Sequence, residues 1–186
     1  MTPHRPCAAW LPPWPALLWV ALCAGCGYSF SGTSLPGHIR TIAVPVFANE
    51  TLDGLIAEET TRGMSDRFLE DNRLKIARET TADCVLTGRV IHYERRVYSY
   101  TPEQEPQDYI VIVRIAVVMS DRVQNRDLWS SESLEATATY PATGSTGSGG
   151  TTDTVGGALP ANEQEARAAA IRKLAQDVLA RTLEQW

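Results

Sequence analysis

Four arginines occur in two neighbouring segments of this chain that are rich in β-branched residues. They are Arg89, Arg95, Arg96 and Arg114. If the two segments pair as a β-hairpin, these side chains become neighbours and can hold phosphate or carboxylate groups through charge-assisted hydrogen bonds. The alternative is a set of ordinary exposed arginines that pair with Glu94 and Asp108 of the same hairpin. The four arginines are therefore a hypothetical anion-binding site.

The residue types that catalysis requires are sparse. His38 and His92 are far apart in sequence, and neither has an obvious catalytic partner. The adjacent acids Glu58 and Glu59 fall on the polar side of a predicted helix, where they increase solubility. The chain has no glycine-rich phosphate loop, no serine-centred elbow and no metal-ligand spacing. The sequence therefore predicts a protein that is not an enzyme and has no metal or cofactor.

The beginning of the chain has the layout of a cleaved secretory signal. His4 and Arg5 precede an apolar run at 16–24, and a small residue stands immediately before Cys26. The run has roughly ten apolar residues, whereas a membrane span needs about 20. The sequence around Cys26 resembles a bacterial lipobox, although Cys23 stands where a lipobox usually has leucine. We therefore predict that residues 1–25 are removed and that Cys26 is acylated.

Acylation would attach the protein to a membrane. Each buried methylene contributes about 0.8 kcal/mol, so two or three acyl chains anchor a domain stably. Gly27, rather than aspartate, follows the cysteine, which by resemblance to enterobacterial sorting rules indicates transfer to the outer membrane. The alternative is an ordinary signal peptide followed by a chance cysteine.

The charge and cysteine content exclude several classes of function. Without residues 1–25, the chain has 16 basic and 22 acidic residues and a formal charge of −6. Nucleic-acid binding depends on clustered cations, so nucleic acid is not an expected partner. Cys84 is the only remaining cysteine once Cys26 is acylated, which excludes an internal disulfide and a cysteine-based zinc site. Its apolar surroundings predict a buried, inert thiol.

Hydrophobic patterns predict a strand followed by a helix. Residues 41–47 read TIAVPVF and predict a strand, which Pro45 confines to an edge or a bulge. Residues 52–71 have apolar side chains at helical spacing. The members of this stripe are Leu52, Leu55, Ile56, Met64, Phe68 and Leu69. Gly63 interrupts the stripe at a cost of about 1 kcal/mol relative to alanine, which suggests close packing there.

Three consecutive strands follow. Residues 85–100 are rich in β-branched and aromatic types, with Gly88 at a bulge or close approach. Residues 109–121 are apolar on both faces, which predicts a central strand. After a turn at 125–127, residues 128–140 form the last strand. The three strands are expected to form an antiparallel meander.

The C-terminal part has a loop and a helix. Residues 141–160 are rich in glycine, serine and threonine and cannot bury enough surface to become ordered, so we expect a flexible loop. Asn162 and Glu165 form a capping box for the final helix. Its predicted buried stripe contains Ile171, Leu174, Val178, Leu179 and Leu183.

The order β-α-β-β-β-α predicts an α+β fold. We expect a four-stranded mixed sheet with two helices packed on one face. The predicted organisation is a cleaved signal at 1–25, a lipidated segment at 26–40 and a single domain at 41–186.

With these segments defined, the chain resembles the LptE family of outer-membrane lipoproteins. The resemblance is carried by CGYSFSG at 26–32, IAVPVFANET at 42–51 and ADCVLTGRVIHYERR at 82–96. The central strand ending in Asp121, LW at 128–129 and the alanine- and glutamate-rich last helix complete it. The resemblance implies two helices against a four-stranded sheet.

The same resemblance implies a function. The protein would be a plug and folding partner of an LptD-like β-barrel, lie at the periplasmic face of the outer membrane and contact lipopolysaccharide during its transport. The family uses basic residues near strand ends for that contact. The four arginines of this chain are candidate ligands because they cluster, and not because they align with the family's contact residues.

Two alternatives remain open. Other envelope lipoproteins, of the CsgG type and among the activators of peptidoglycan synthases, have a first strand that reads much like IAVPVF followed by Asn. The three consecutive strands at 85–140 fit LptE better than alternating helices and strands would. An uncharacterised periplasmic enzyme is the third interpretation.

Overall fold

The computed structural model describes residues 35–142 and 160–184. The predicted signal at 1–25, Cys26 and nearly all of the glycine-rich segment at 141–160 lie outside the described residues. The strands are β1 (Thr41–Ala43), β2 (Ala48–Asn49), β3 (Lys75–Ile76), β4 (Cys84–Tyr100), β5 (Pro106–Asp121) and β6 (Arg126–Pro141). The helices are α1 (Ile56–Asp71) and α2 (Glu163–Glu184).

The strands form one mixed sheet in the order β3-β1-β4-β5-β6, with β2 also paired to β4. The three long strands are antiparallel, whereas β1 and β2 run parallel to β4. This arrangement confirms the predicted α+β fold and the meander. Within the described residues the sheet has six strands rather than the four that were predicted. The additional strands are two residues long, too short to produce a periodic signal in the sequence.

The strand predicted at 41–47 is shorter than predicted, because regular pairing ends at Ala43, two residues before Pro45. Proline has no backbone N–H to donate to a ladder, so the ladder cannot continue through that residue. β1 pairs with β4 at Cys84 and Val85, and pairing resumes in β2 opposite Arg89 and Val90. β1 therefore covers only the first three residues of the predicted strand, and β2 lies just beyond its predicted end, on the same side of β4.

The central strand β5 is buried on both faces, as its sequence predicts. Its helix-facing side chains are almost fully buried in the main core, and they are Val111, Val113, Ile115, Val117 and Met119. The residues between them include Ile110, Ile112 and Ala116, which are also buried but point to the opposite face. We call that opposite side of the sheet the outer face. Both helices pack on the face that carries Val113 and Ile115, opposite the outer face.

Helix α1 begins later than the sequence predicts. Asp53 Oδ1 accepts hydrogen bonds from the backbone N of Leu55 and of Ile56, so the first turn is capped from residue 53. The predicted start at 52 was wrong, and Leu52 is fully exposed at 106%. Leu55 and Leu69, which were predicted to widen the apolar stripe, are also exposed.

Helix α2 matches its prediction closely. Glu165 N donates to Asn162 Oδ1 at 2.9 Å, and Ala161 N donates to Glu165 Oε2 at 2.8 Å. The first bond is the predicted cap, and the return bond from Glu165 reaches the N–H of Ala161, one residue before the cap residue, rather than that of Asn162 itself. Ile171, Leu174, Val178 and Leu179 are buried in the core, and Leu183 is partly buried against it.

Two glycines allow elements to approach closely. A Cβ at residue 63 would lie 2.5 Å from Ile171 Cγ2, so Gly63 lets α1 approach α2. A Cβ at residue 88 would overlap the ring of Phe47, which is buried and packs onto β4. Both positions were identified from sequence as possible close approaches, and both are.

The segment that precedes β1 is attached to the C-terminal end of β5. His38 Nε2 lies 2.8 Å from Asp121 Oδ2, and the Asp121 side chain is fully buried. Burial disfavours the charged carboxylate, but hydrogen bonds from Gln124 N, His38 and Val123 N outweigh it and hold the pKa of Asp121 below its usual value. Asp121 therefore remains ionised. Its carboxylate connects the segment that enters the sheet at His38 to the end of β5 and to the turn that follows it.

Substitution of Gly88 by alanine should destabilise the fold. The added methyl group has no space beside Phe47, and overpacking of this kind costs about 1–3 kcal/mol. Urea denaturation of Gly88→Ala should show that loss. Gly54→Ala is the matched control, because a Cβ at residue 54 meets nothing within 4 Å. Equal stability of the two variants would contradict the close approach.

Substitution of Asp121 by asparagine should change the pH dependence of stability. Because the folded pKa lies below the unfolded value of about 3.9, the carboxylate stabilises the fold above that pH and loses this effect as the pH falls through its folded pKa. Asp121→Asn should lower the free energy of unfolding at pH 7 by about 1–3 kcal/mol.

The variant should also lose less stability than the parent chain between roughly pH 5 and pH 2, as measured by urea denaturation at each pH. Asp127→Asn, at an exposed carboxylate bonded to Ser120, should change stability by less than about 0.5 kcal/mol. An unaltered acid transition in Asp121→Asn would exclude this role of the buried carboxylate.

Candidate ligand and partner surfaces

The sheet register places Arg95 on the helix side of the sheet. Arg95 lies opposite Val111, whose side chain is fully buried beneath the helices. Its Nη1 donates to Glu163 Oε2 at 3.0 Å, at the beginning of α2. Its guanidinium carbon lies 5.4 Å from the ring centroid of Tyr109, a cation–π distance. Arg95 therefore contributes to the attachment of α2 to the sheet.

The other three arginines point to the outer face. Arg96 pairs opposite Ile110 and Arg89 opposite Ala116, so both share the side of β5 that carries Arg114. Arg114 is two residues from the Ala116 position and four from the Ile110 position, or about 7 and 13 Å along the strand. The structure thus brings Arg89 near Arg114, places Arg96 further along, and separates Arg95 from all three.

Two of the outer-face arginines already have acidic partners. Arg114 Nε donates to Glu135 Oε2 at 3.0 Å, across the β5–β6 pair. Arg89 Nε lies 3.6 Å from Glu50 Oε1. Arg96 is exposed and has no ion pair among the described residues. Arg96 is therefore available to an anion without the loss of an existing pair.

An aromatic and acidic cluster at the start of α2 was not predicted as a unit. Tyr93 OH donates to Glu163 Oε1 at 2.9 Å, so one carboxylate holds both Tyr93 and Arg95. The rings of Tyr109 and Tyr140 stack with centroids 5.5 Å apart. Burial and then the bond to Glu163 raise the pKa of Tyr93, so its hydroxyl stays protonated as a donor. The cluster fixes α2 against three strands.

A second unpredicted feature is the ordered loop before α1. Arg167 of α2 places Nη1 2.8 Å from Asp53 Oδ2, and its Nε lies 3.1 Å from Glu59 Oε2 without hydrogen-bond alignment. The Arg167 guanidinium also lies 5.3 Å from the centroid of the Tyr93 ring. The loop that carries fully exposed Leu52 is therefore held in place from the helix layer.

The potential catalytic side chains have other partners or are buried. His92 Nε2 lies 3.4 Å from Glu94 Oε2 on the sheet, remote from His38 in the strand ladder. Burial, followed by the charges of Asp83 and Asp121, raises the pKa of the Cys84 thiol to about 12. Residues 35–142 and 160–184 contain no group of three or more His, Cys, Asp or Glu side chains that could hold a metal ion.

A groove between the two helices has a cavity volume of about 390 Å³. Its floor contains Gly63, Ile171 and Ala175, and its walls carry both acidic and basic side chains, among them Glu59 and Arg172. The mixed charge of the walls selects no class of ligand. In the part of the chain that the structure describes, no helix is long and apolar enough to cross a membrane.

Comparison with solved structures finds a similar fold at a TM-score above 0.5, and weaker similarities to other bacterial proteins. A hypothetical protein from Chlamydia trachomatis is 11% identical, with a TM-score of 0.51 over 77% of this chain and 95% of that chain. The PelC dodecamer from Paraburkholderia phytofirmans is 14% identical, with a TM-score of 0.45 over 77% and 90%. A minor lipoprotein from Acinetobacter baumannii is 13% identical, with a TM-score of 0.46 over 81% and 95%.

The sequence comparisons identify the family. No curated protein matches this chain significantly. The family model described as LptE, lipopolysaccharide-assembly, matches residues 39–184, which is most of the chain and includes every strand and helix described above. The match confirms the resemblance carried by the first strand, the long hairpin and the last helix. This chain therefore belongs to the LptE family of lipopolysaccharide-assembly lipoproteins.

Proposed function

We propose that this chain is an outer-membrane lipoprotein, acylated on Cys26, that occupies the lumen of an LptD-like β-barrel and assists its folding. The observation that carries the proposal is the family match across residues 39–184. The protein would lie at the periplasmic face and contact lipopolysaccharide on its way to the outer leaflet. In this role it binds and positions, and it catalyses no covalent step.

The surface of the domain supports a role in binding. No described helix covers the outer face, so its polar side chains and arginines can meet a partner directly. The Leu52 loop adds an exposed apolar side chain on a segment that hydrogen bonds and Arg167 keep ordered. A preordered contact loses less conformational entropy on binding than a flexible one. Acylation would add a high effective concentration near a barrel in the same membrane.

The outer-face arginines supply the chemistry for lipopolysaccharide. Phosphate groups are bound well by guanidinium groups, and Arg96 has no competing carboxylate among the described residues. Arg89 and Arg114 would exchange a carboxylate for a phosphate. Arg95 lies on the same strand as Arg96, but Glu163 holds its guanidinium on the helix side, so we expect it to contribute least to this site.

The partner proposal predicts the outcome of an affinity purification. The full chain with a C-terminal tag, extracted with detergent from the envelope, should retain one large β-barrel protein in near-equal amount through stringent washing. Cys26→Ala should retain less barrel because the tether is lost. Mass spectrometry of the peptide that begins at residue 26 tests the acylation itself. Recovery of peptidoglycan synthases or of a homo-oligomeric pore in place of a barrel would contradict the proposal.

The arginine proposal predicts a loss of lipopolysaccharide binding. Replacement of all four arginines by serine should weaken binding at least tenfold, since charge-assisted hydrogen bonds contribute about 1.5–3 kcal/mol each. Arg96→Ser should give the largest single effect and Arg95→Ser the smallest. The matched control is Arg62→Ser, at an exposed arginine of α1. Lipopolysaccharide binding that survives unchanged in the fourfold variant, with an intact thermal transition, would remove these residues from the site.

A further inference from the structure

One end of the sheet carries a group of exposed cations in this acidic protein. At this end β1, β3, β4 and β6 begin and β5 ends. Lys75 N donates to Arg40 O at 3.0 Å, and Arg122 N donates to Asp83 O at 2.9 Å, so the segments that carry the cations are adjacent. We call this surface the basic end. Its exposed residues are Arg40, Arg73, Lys75, Arg78, Arg122 and Arg126.

The nearby carboxylates are largely committed to the protein itself. Asp83 Oδ2 accepts hydrogen bonds from Arg40 N, Thr41 N and Thr41 Oγ1 at 2.8–3.0 Å. Asp121 is buried and bonded to His38. Of the six cations, only Arg73 has an ion pair among the described residues, with an Asp71 oxygen 3.7 Å away. The exposed acids Glu79 and Asp127 remain at the surface, and Glu70 in the last turn of α1 pairs with Arg67. The basic end is therefore locally positive.

The β5–β6 turn adds an apolar tip to this surface. Asp121 Oδ1 accepts hydrogen bonds from Val123 N at 2.8 Å and Gln124 N at 3.0 Å, and Asn125 adopts a left-handed conformation with φ of 50°. These features fix the turn. The side chain of Val123 is 63% exposed, and it lies in sequence between Arg122 and Arg126. An apolar side chain flanked by cations is the pattern of a segment that enters a lipid headgroup region.

The chain enters the domain at the same end. His38 and Asp121 hold the entering segment against the β5–β6 turn. Leu35, where the described structure begins, is nine positions after Cys26, which is about 30 Å at full extension. A domain tethered this closely to acyl chains on Cys26 has its basic end within reach of the bilayer. This step depends on the acylation in the proposed function.

We propose that, before the domain enters a barrel, the basic end rests on an anionic lipid surface, with Val123 in the headgroup region. The cations are attracted to anionic headgroups within a Debye length, which fits the short tether. The β4–β5 hairpin then points away from the membrane, because Tyr98 is 14 residues along β4 from Cys84, or about 46 Å. The interaction orients the domain and leaves the outer-face arginines free.

The test uses the acylated full chain in lipid nanodiscs that contain lipids with a quencher in the headgroup region. A fluorescent thiol probe is attached at Val123→Cys, and a second protein carries it at Tyr98→Cys, which is exposed at the opposite end. Cys84 is buried and does not react. Anionic lipids attract basic segments of proteins. In discs that contain about one-third anionic phosphatidylglycerol, quenching at residue 123 should therefore be several-fold stronger than in phosphatidylcholine discs.

Quenching at residue 123 should decrease with added salt, and it should fall to the phosphatidylcholine level when four cations become glutamine: Arg40, Lys75, Arg122 and Arg126. The matched control removes the same charge from parts of the helices away from the basic end, at Arg62, Arg67, Arg172 and Lys173, and should leave quenching unchanged. The probe at residue 98 should stay unquenched throughout.

Three outcomes would overturn the inference: equal quenching at residues 123 and 98, insensitivity to anionic lipid, or equal losses in both fourfold variants. Equal losses in both fourfold variants would mean that quenching depends on the net charge of the protein and not on the position of the cations. A chain that enters the discs and carries acyl groups by mass spectrometry, but shows no quenching at residue 123, contradicts the orientation alone. A chain without acyl groups contradicts the proposed anchoring, and with it the orientation.

Discussion

The structure depends on the burial of both faces of β5. Two amphipathic helices can cover one side of a sheet, and here they cover the side that carries Val113 and Ile115. The opposite side holds Ile110 and Ile112, which are also buried although no described helix covers them. Their neighbours on β4 and β6 are long or β-branched polar residues, whose aliphatic parts cover apolar surface. The flanking strands must therefore keep a fixed register.

That register distributes the arginines. Because side chains alternate along a strand, Arg95 and Arg96 point to opposite faces although they are adjacent in sequence. The helix-side position makes Arg95 a partner of Glu163 and of an aromatic ring, and so part of the fold. The outer-face position leaves Arg96 exposed to solvent. A cluster defined by sequence distance thus becomes two sets of residues with different physical roles.

Charge is arranged as unevenly as burial. The chain is acidic overall, yet the carboxylates at one end of the sheet are used as hydrogen-bond acceptors for backbone N–H groups and for His38. Hydrogen bonds of this kind keep the pKa of half-buried Asp83 and of buried Asp121 low, so both stay charged. Among the described residues, the surrounding cations form no ion pairs with these two carboxylates and remain exposed at the surface. Net charge alone would not indicate this separation.

The sequence by itself determined the long elements, their order and the family. Period-two and helical patterns are local, so β4, β5, β6 and α2 were predicted within a few residues, and the Asn162 capping box was predicted with its partner. The short strands β2 and β3 and the exposed position of Leu52 were not predicted, because two residues make no pattern and a local cap from Asp53 overrides helical spacing.

Only the tertiary structure decided which face each arginine occupies, that Glu163 joins Tyr93 to Arg95, and that His38 meets Asp121 across 83 positions of the chain. Contacts between distant segments depend on strand register and helix placement. Those are set by packing of the whole core rather than by any local pattern of residues.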